Sequence, residues 1–151
     1  MTDHPVIHST FSLERSYPAA PARVFAAWAE PGAKAKWFAG GNAEHQLDFR
    51  AGGREVTRGT NGDGDVLTAD SAYHDIVSGA RIVYSTTLSV GDKVATVSIT
   101  TVEIAPDGDG TRLVLTEQGT YLDGLEEPRW REEGTAQQLD ALATALKQNG
   151  D

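Results

Sequence analysis

The chain has 151 residues, with 13 lysines and arginines against 22 aspartates and glutamates, and it has no cysteine. Its formal net charge of −9 argues against a nucleic-acid partner or an anionic membrane surface, because both need clustered basic side chains. The absence of cysteine excludes disulfides, thiolate nucleophiles and thiolate metal ligands. A composition of 39% apolar and 23% charged residues is typical of one folded domain.

The sequence shows no basic segment followed by an apolar stretch at its start, and no window of about 18 apolar residues. It also shows no internal repeat and no linker-like tract. We therefore expect a single cytoplasmic domain over residues 1–151, with its core at about 9–147.

The first third of the chain predicts one strand and two short helices. Apolar and polar residues alternate over 7–17, which is typical of a half-buried strand. A helix of about ten residues is predicted to begin at Pro21, where a missing N–H is tolerated, and Trp28 lies on its apolar side. A second helical stretch over 33–38 ends with Trp37 and Phe38.

Six further strands are predicted, at 45–50, 54–60, 66–77, 81–90, 93–104 and 111–121. The turns between them are short and rich in Gly, Asp and Asn, so neighbouring strands must be antiparallel. Residues 128–147 return to a helical period, with Leu139, Leu142 and Leu146 in one stripe. This order predicts an α+β fold in which a curved antiparallel sheet of about seven strands surrounds a long C-terminal helix.

Polar side chains interrupt several apolar rows of this pattern. Glu117 follows Leu115 on one face of its strand, whereas Thr101 and Glu103 follow Ile99 on one face of theirs. A charged group in such a row is either solvated at a rim or buried and paired.

Three other polar residues occupy comparable positions. Arg15 lies on the apolar face of the first strand, and Glu132 and Thr135 lie on the same side of the last helix as Leu139. Two interpretations stay open: a salt bridge from Arg15 to a glutamate that closes one end of the fold, or a polar cluster that orients a ligand.

Several sequence segments together resemble one known superfamily. They are FSLERSY at 11–17, PARVFAAW at 21–28, KWF at 36–38, DFRAGG at 48–53, AYHDI at 72–76, RIVY at 81–84, GTRLVLTE at 110–117, EGT at 133–135 and LDAL at 139–142. In this order they resemble the START-like (SRPBCC) superfamily, and within it the branch named for the C-terminal domain of the heat-shock chaperone ATPase activator.

The resemblance implies a helix-grip fold with an apolar cavity between the sheet and the last helix. Relatives of this kind include lipid carriers, polyketide cyclase-like enzymes and chaperone co-factors, so the fold alone selects no chemistry. One position departs from the pattern: many members carry tryptophan after the glycine of the last helix, and this chain has Thr135.

Our leading hypothesis is a domain that binds a small apolar or amphipathic molecule in this cavity. The candidate ligand-binding residues are Arg15, Trp37, Phe49, Tyr84, Thr101, Leu115, Glu117, Glu132, Thr135 and Leu139. One alternative is a cyclase- or dehydratase-like enzyme with Glu117 or Glu132 as acid or base, so enzymatic activity stays open. The other alternative is a protein-binding module associated with a chaperone.

No cofactor or metal site is expected. The four histidines lack ligand spacing, and the Asn61-x-Asp63-x-Asp65 segment lacks the glycine and glutamate of a calcium loop. The Ala51-Gly-Gly-Arg54 segment is typical of a tight turn and not of a phosphate-binding loop, and no nucleophile motif is present. Trp130 is expected to line the cavity only if it precedes the regular helix. If Trp130 is instead exposed on the surface, formation of a homodimer stays an open alternative.

Overall fold

The computed structural model describes residues 3–39 and 43–148, with the side chain of residue 148 left out. Its elements, in chain order, are β1 (Val6–Tyr17), α1 (Pro21–Ala29), α2 (Pro31–Phe38), β2 (Glu44–Leu47), β3 (Arg54–Thr60), β4 (Val66–Val77), β5 (Arg81–Val90), β6 (Lys93–Asp107), β7 (Gly110–Leu122) and α3 (Pro128–Gln148). Among these residues, no helix combines the length and the apolar character that a membrane crossing requires.

The seven strands form one antiparallel sheet in the order β1-β7-β6-β5-β4-β3-β2. Register shifts at His74 in β4 and at Ala95 in β6 mark β-bulges, which bend the strands that carry them. The α3 helix packs against α1, α2 and β1. The predicted α+β helix-grip fold is therefore confirmed, including the two short helices after the first strand.

The strand bounds differ from the sequence prediction mainly at β2, which ends at Leu47 and not at residue 50. The chain turns there, because the N–H of Arg50 donates to the carbonyl oxygen of Asp48 and the N–H of Gly53 donates to that of Arg50. The α2 helix also begins earlier than predicted. Pro31 occupies its first turn, where the missing N–H costs nothing.

A row of small side chains crosses the inner face of the sheet. Ser71 of β4 is opposite Thr86 of β5, Thr86 is opposite Ser98 of β6, and Ser98 is opposite Gly119 of β7. All four residues are buried. The short side chains of Ser71 and Thr86 leave space beneath the N-terminal half of α3. At the other end of the row, Arg131 contacts Ser98 and the ring of Tyr121 lies over Gly119.

The C-terminal half of α3 packs differently, on a closely filled apolar core. Leu142 and Leu146 are buried there in the same cluster as Val102 and Leu113 of the sheet. The hydroxyl of Tyr17 donates a hydrogen bond of 2.9 Å to the carbonyl oxygen of Leu139, which ties β1 to the middle of this helix. The C-terminal half of the helix thus packs directly on the core, whereas its N-terminal half spans a cavity and reaches the sheet through Arg131.

The glycine-rich segment after β2 is a tight turn, as predicted. Gly52 has a φ of +85°, which glycine adopts without strain. Its N–H donates to the carbonyl oxygen of Tyr73, and that of Gly53 donates to Arg50, so neither is available to a phosphate. A Cβ added at Gly53 would lie 2.1 Å from the carbonyl oxygen of Asp48.

We predict that Gly53→Ala destabilises the protein by more than about 2 kcal/mol. The added Cβ would clash with the backbone carbonyl oxygen of Asp48, which cannot rotate away as a flexible side chain can. Urea unfolding measures the effect. Gly62→Ala is the matched control: a Cβ there meets no atom within 4 Å, and its effect should stay within about 1 kcal/mol. Equal unfolding midpoints for the two variants would contradict this explanation of the turn.

Candidate functional site

The space beneath α3 is a cavity of about 270 Å³ between the helix and the sheet. Aromatic side chains form much of its wall: Trp28, Trp37, Phe38, Tyr84 and Trp130. Larger depressions of 360–410 Å³ occur elsewhere on the described surface, but none of them is walled by both the sheet and α3. The cavity beneath α3 is therefore our candidate site.

The floor of the cavity is lined by hydroxyl groups. Ser71 and Thr86, from the row of small residues, form a hydrogen bond of 2.7 Å with each other. The Thr57 hydroxyl and the indole N–H of Trp28 are buried and have no hydrogen-bond partner within the described part of the chain. Both residues belong to the cavity wall. Oε2 of Glu117 is likewise buried and is not met with hydrogen-bond geometry by any described group, although it forms an ion pair with Arg131.

One wall carries charged side chains. Arg131 of α3 places its Nε 2.8 Å from Oε2 of Glu117 and its Nη1 3.2 Å from Oε1 of Glu126. Its Nη2 donates to the Ser98 hydroxyl at 3.1 Å, and the Thr100 hydroxyl donates to Oε1 of Glu117 at 3.0 Å. We call Glu117, Glu126 and Arg131 the charged wall.

Burial governs the electrostatics of this wall. Because Glu117 is only 5% exposed, desolvation raises the pKa of its carboxyl, and the nearby charge of Glu126 raises it further. Arg131 and the Thr100 hydroxyl oppose the shift, yet the pKa stays above the ordinary value. Glu117 is thus a carboxyl that holds its proton more strongly than a solvated one.

A second buried cluster lies directly behind the aromatic wall. Lys34 of α2 is fully buried, and its Nζ is 2.6 Å from Oε1 of Glu55 in β3. The hydroxyl of Tyr73 donates to the same oxygen at 2.6 Å, and Nε2 of His45 lies 2.6 Å from the other one. These contacts connect α2, β2, β3 and β4.

Burial by itself lowers the pKa of Lys34 and favours its neutral form, and Glu55 opposes that shift. Burial also works against the charge of Glu55, but Lys34 and the hydrogen bonds from its neighbours keep the pKa of this carboxyl below its ordinary value. The Lys34 ammonium also lies 4.2 Å from the ring centre of Phe38 and 5.2 Å from that of Trp28.

The structure brings six of the predicted site residues to the cavity wall: Trp37, Tyr84, Leu115, Glu117, Thr135 and Leu139. Their role in ligand binding stays a prediction. The prediction that Glu117 continues the apolar row of Leu115 is confirmed, because both side chains are buried on the inner face. Phe49 contacts Phe25 and Tyr73 instead of the cavity.

The predicted inward direction of Thr101 and Glu103 is wrong. The inner face of β6 carries Thr96, Ser98 and Thr100, all buried, whereas Glu103 is exposed on the outer face. The apolar residues Val97 and Ile99, on which the prediction relied, are 45% and 48% exposed. Polarity misled the prediction here, because in this part of the strand the hydroxyl-bearing residues lie on the buried inner face and the aliphatic residues Val97 and Ile99 lie on the exposed outer face.

The predicted direction of Glu132 is also wrong, since this residue is exposed and Arg131 faces the cavity. An ideal helical wheel places Glu132 within about 20° of Leu139 and Arg131 about 80° away. The contacts of Arg131 with Ser98 and Glu117 show that this end of α3 lies over β6 and β7. Arg131 lies four residues before Thr135, so the two share one side of the helix. This spacing is the sequence signal that could have indicated that Arg131 faces the cavity.

Arg15 forms a salt bridge, but not with a glutamate of the cavity. Its Nε is 3.0 Å from Oδ1 of Asp140 on α3. The ion pair joins β1 to the helix, but the prediction that the partner is a glutamate was wrong.

Trp130 lies inside the regular helix and is 53% exposed, yet it contributes to the cavity wall. The prediction that Trp130 lines the cavity only if it precedes the regular helix was therefore wrong.

Together, the sheet, the overlying helix and the cavity between them define the chain as a helix-grip domain of the START-like type. A family model described as "Activator of Hsp90 ATPase homolog 1-like protein" matches residues 18–147. The chain belongs to this family. Among curated proteins, no sequence matches it.

Solved structures with the same fold include two rhizobial proteins. An uncharacterized protein from Rhizobium leguminosarum is 38% identical with a TM-score of 0.94, over 98% of this chain and 100% of that one. A Rhizobium loti protein is 47% identical with a TM-score of 0.88, and the match covers 94% of this chain and 99% of that one. A Chromobacterium violaceum protein is 28% identical with a TM-score of 0.77, and the match covers 89% of this chain and 94% of that one.

We predict that Glu55→Gln destabilises the protein by about 3–5 kcal/mol, because it leaves the Lys34 ammonium buried without its counter-charge. The double variant Lys34→Met/Glu55→Gln should recover part of this loss. Glu44→Gln is the control, since its ion pair with Arg58 is exposed and should contribute less than about 1 kcal/mol. Urea unfolding that gives equal losses for Glu55→Gln and Glu44→Gln would contradict the assignment.

We also predict that the stability difference between the unmodified protein and Glu117→Gln depends on pH. A carboxyl whose pKa is raised by folding contributes stability that is fully present below its unfolded pKa, ordinarily 4.5, and is lost as pH rises through the folded pKa. The unmodified protein should therefore lose stability relative to Glu117→Gln from about pH 4.5 upward. Unfolding curves at a series of pH values measure this, with exposed Glu133→Gln as a control that shows no such trend.

Proposed function

We propose that this protein binds a small, largely apolar ligand in the cavity between the sheet and α3. The observation that carries the proposal is a cavity of about 270 Å³ with aromatic walls, whose wall residues Trp28 and Thr57 each keep a polar group without a partner among residues 3–39 and 43–148. Binding sites commonly combine apolar walls with a few polar groups that orient the ligand. The volume lies just below the usual range of about 300–1,000 Å³ and favours a small molecule.

The way the cavity arises supports this proposal. Ser71 of β4 and Thr86 of β5 are opposite each other, and both line the cavity. Closely packed cores contain few voids. Two small residues side by side beneath a helix are expected where the space between sheet and helix has a use.

We predict that native mass spectrometry of the protein purified from its own host detects a bound small molecule, which solvent extraction then identifies. Thr135→Trp should abolish the bound mass, because the indole would project from α3 into the cavity. Gln137→Trp is the matched control: it adds the same group at an exposed position of the same helix and should leave the bound mass unchanged. Retention of an identical ligand by Thr135→Trp would refute this placement.

A second candidate function is acid–base catalysis on the bound molecule, favoured by the raised pKa of the Glu117 carboxyl on the cavity wall. Binding comes first in our proposal, because Glu117 is already engaged by Arg131 and Thr100. Turnover of the extracted ligand that disappears in Glu117→Gln would favour the enzyme. A cytoplasmic location, expected from the sequence, stays part of the proposal.

A further inference from the structure

The charged wall contains more negative than positive charge. Within the described residues, only Glu117, Glu126 and Arg131 among the cavity-lining side chains carry a formal charge, so two carboxylates face one guanidinium. The local balance is therefore −1 when both carboxyls are ionised.

Arg131 is already committed to protein partners. Its Nε, Nη1 and Nη2 each contact an oxygen atom, of Glu117, Glu126 and Ser98 respectively, at 2.8–3.2 Å. A ligand anion would have to compete with these contacts and would also approach two carboxylates. The wall therefore disfavours an anionic ligand.

The carboxylates, in contrast, keep unused acceptor positions. A carboxylate offers about four lone-pair sites. Glu117 uses its Oε1 for the Thr100 hydroxyl and its Oε2 for Arg131, while Oε1 of Glu126 receives the Thr96 hydroxyl and Arg131. Oε2 of Glu126 has no partner within the described part of the chain. Hydrogen-bond acceptors thus remain beside the cavity.

The buried cation Lys34 does not restore the balance of charge on this wall. Lys34 lies behind the aromatic wall, where its Nζ is 2.6 Å from Glu55, so the two charges offset each other. Its ammonium lies over the rings of Trp28, Phe38 and Tyr84 at 4.2–5.6 Å from their centres. The chain itself therefore shows that rings of this wall accept an ammonium group.

We propose that the ligand of this cavity is a small apolar body that carries a protonated amine, with the ammonium group at Glu117 and Glu126. The inference rests on the proposed function, since it names the chemical class of the ligand. The apolar body would lie against the aromatic wall, and the ammonium would donate to the free carboxylate positions and bring the local charge to zero.

A matched set of three probes tests the charge preference: 2-phenylethylamine, 2-phenylethanol and 3-phenylpropanoate at pH 7. They share one ring and a two-carbon arm and differ in charge. All three tryptophans of the chain line the cavity, so intrinsic fluorescence reports binding directly, and calorimetry confirms the affinities. We expect the amine to bind at least about tenfold more tightly than the alcohol, and the carboxylate to bind least tightly.

The charge preference should depend on the acidic residues of the wall. Glu126→Gln should reduce the affinity for the amine to about that of the alcohol and leave the alcohol unaffected. Glu127→Gln is the matched control, because this neighbouring carboxylate is exposed and does not line the cavity. Glu117→Gln is the second test variant, with its fold verified by circular dichroism.

The outcomes separate this inference from the function on which it rests. If the alcohol or the carboxylate binds as tightly as the amine, or if Glu126→Gln leaves the preference intact, the inference is overturned while ligand binding stands. If no probe changes the fluorescence and host-purified protein carries no small molecule, the proposed function fails and the inference fails with it.

Discussion

The α3 helix meets the sheet closely along only half of its length, and the site depends on this constraint. At its C-terminal half, Leu142 and Leu146 are buried against the strands. At its N-terminal half, the cavity lies between the helix and the small residues Ser71 and Thr86 of the sheet. A hydrogen bond from Tyr17 to Leu139 holds the helix between the two regions. The cavity is therefore a consequence of residue size at one level of β4 and β5.

Two buried ion pairs hold the remaining walls in place. Lys34 and Glu55 join α2 to β3, and α2 carries Trp37 and Phe38, which line the cavity. Arg131 and Glu117 join α3 to β7 on the opposite side. Such pairs contribute little net stability compared with apolar packing, but loss of one partner is costly because it leaves an uncompensated buried charge. They therefore fix where the walls lie more than they stabilise the fold.

The two pairs differ in their access to the cavity. Lys34 and Glu55 are enclosed, with Tyr73 and His45 completing their contacts, so this pair has a structural role. Glu117 and Arg131 line the cavity, and Glu126 adds a second carboxylate beside them. Family membership supplies the fold and leaves the ligand open, because one fold can host many functions. The charge and shape of this wall therefore carry the functional argument.

The sequence by itself determined the order of elements, nearly all strand bounds and the helix-grip fold, because hydrophobic period and turn chemistry are local properties. It also indicated that Glu117 and Thr135 face inward, since each belongs to a clear apolar row. Only the tertiary structure decided the inner face of β6 and the roles of Arg131 and Glu126, and only it revealed the pairing of Lys34 with Glu55. On β6, buried hydroxyl groups and the exposed side chains of Val97 and Ile99 reverse the usual relation between polarity and exposure. Ion pairs between residues distant in the chain depend on how a helix lies across a sheet, which no local pattern contains.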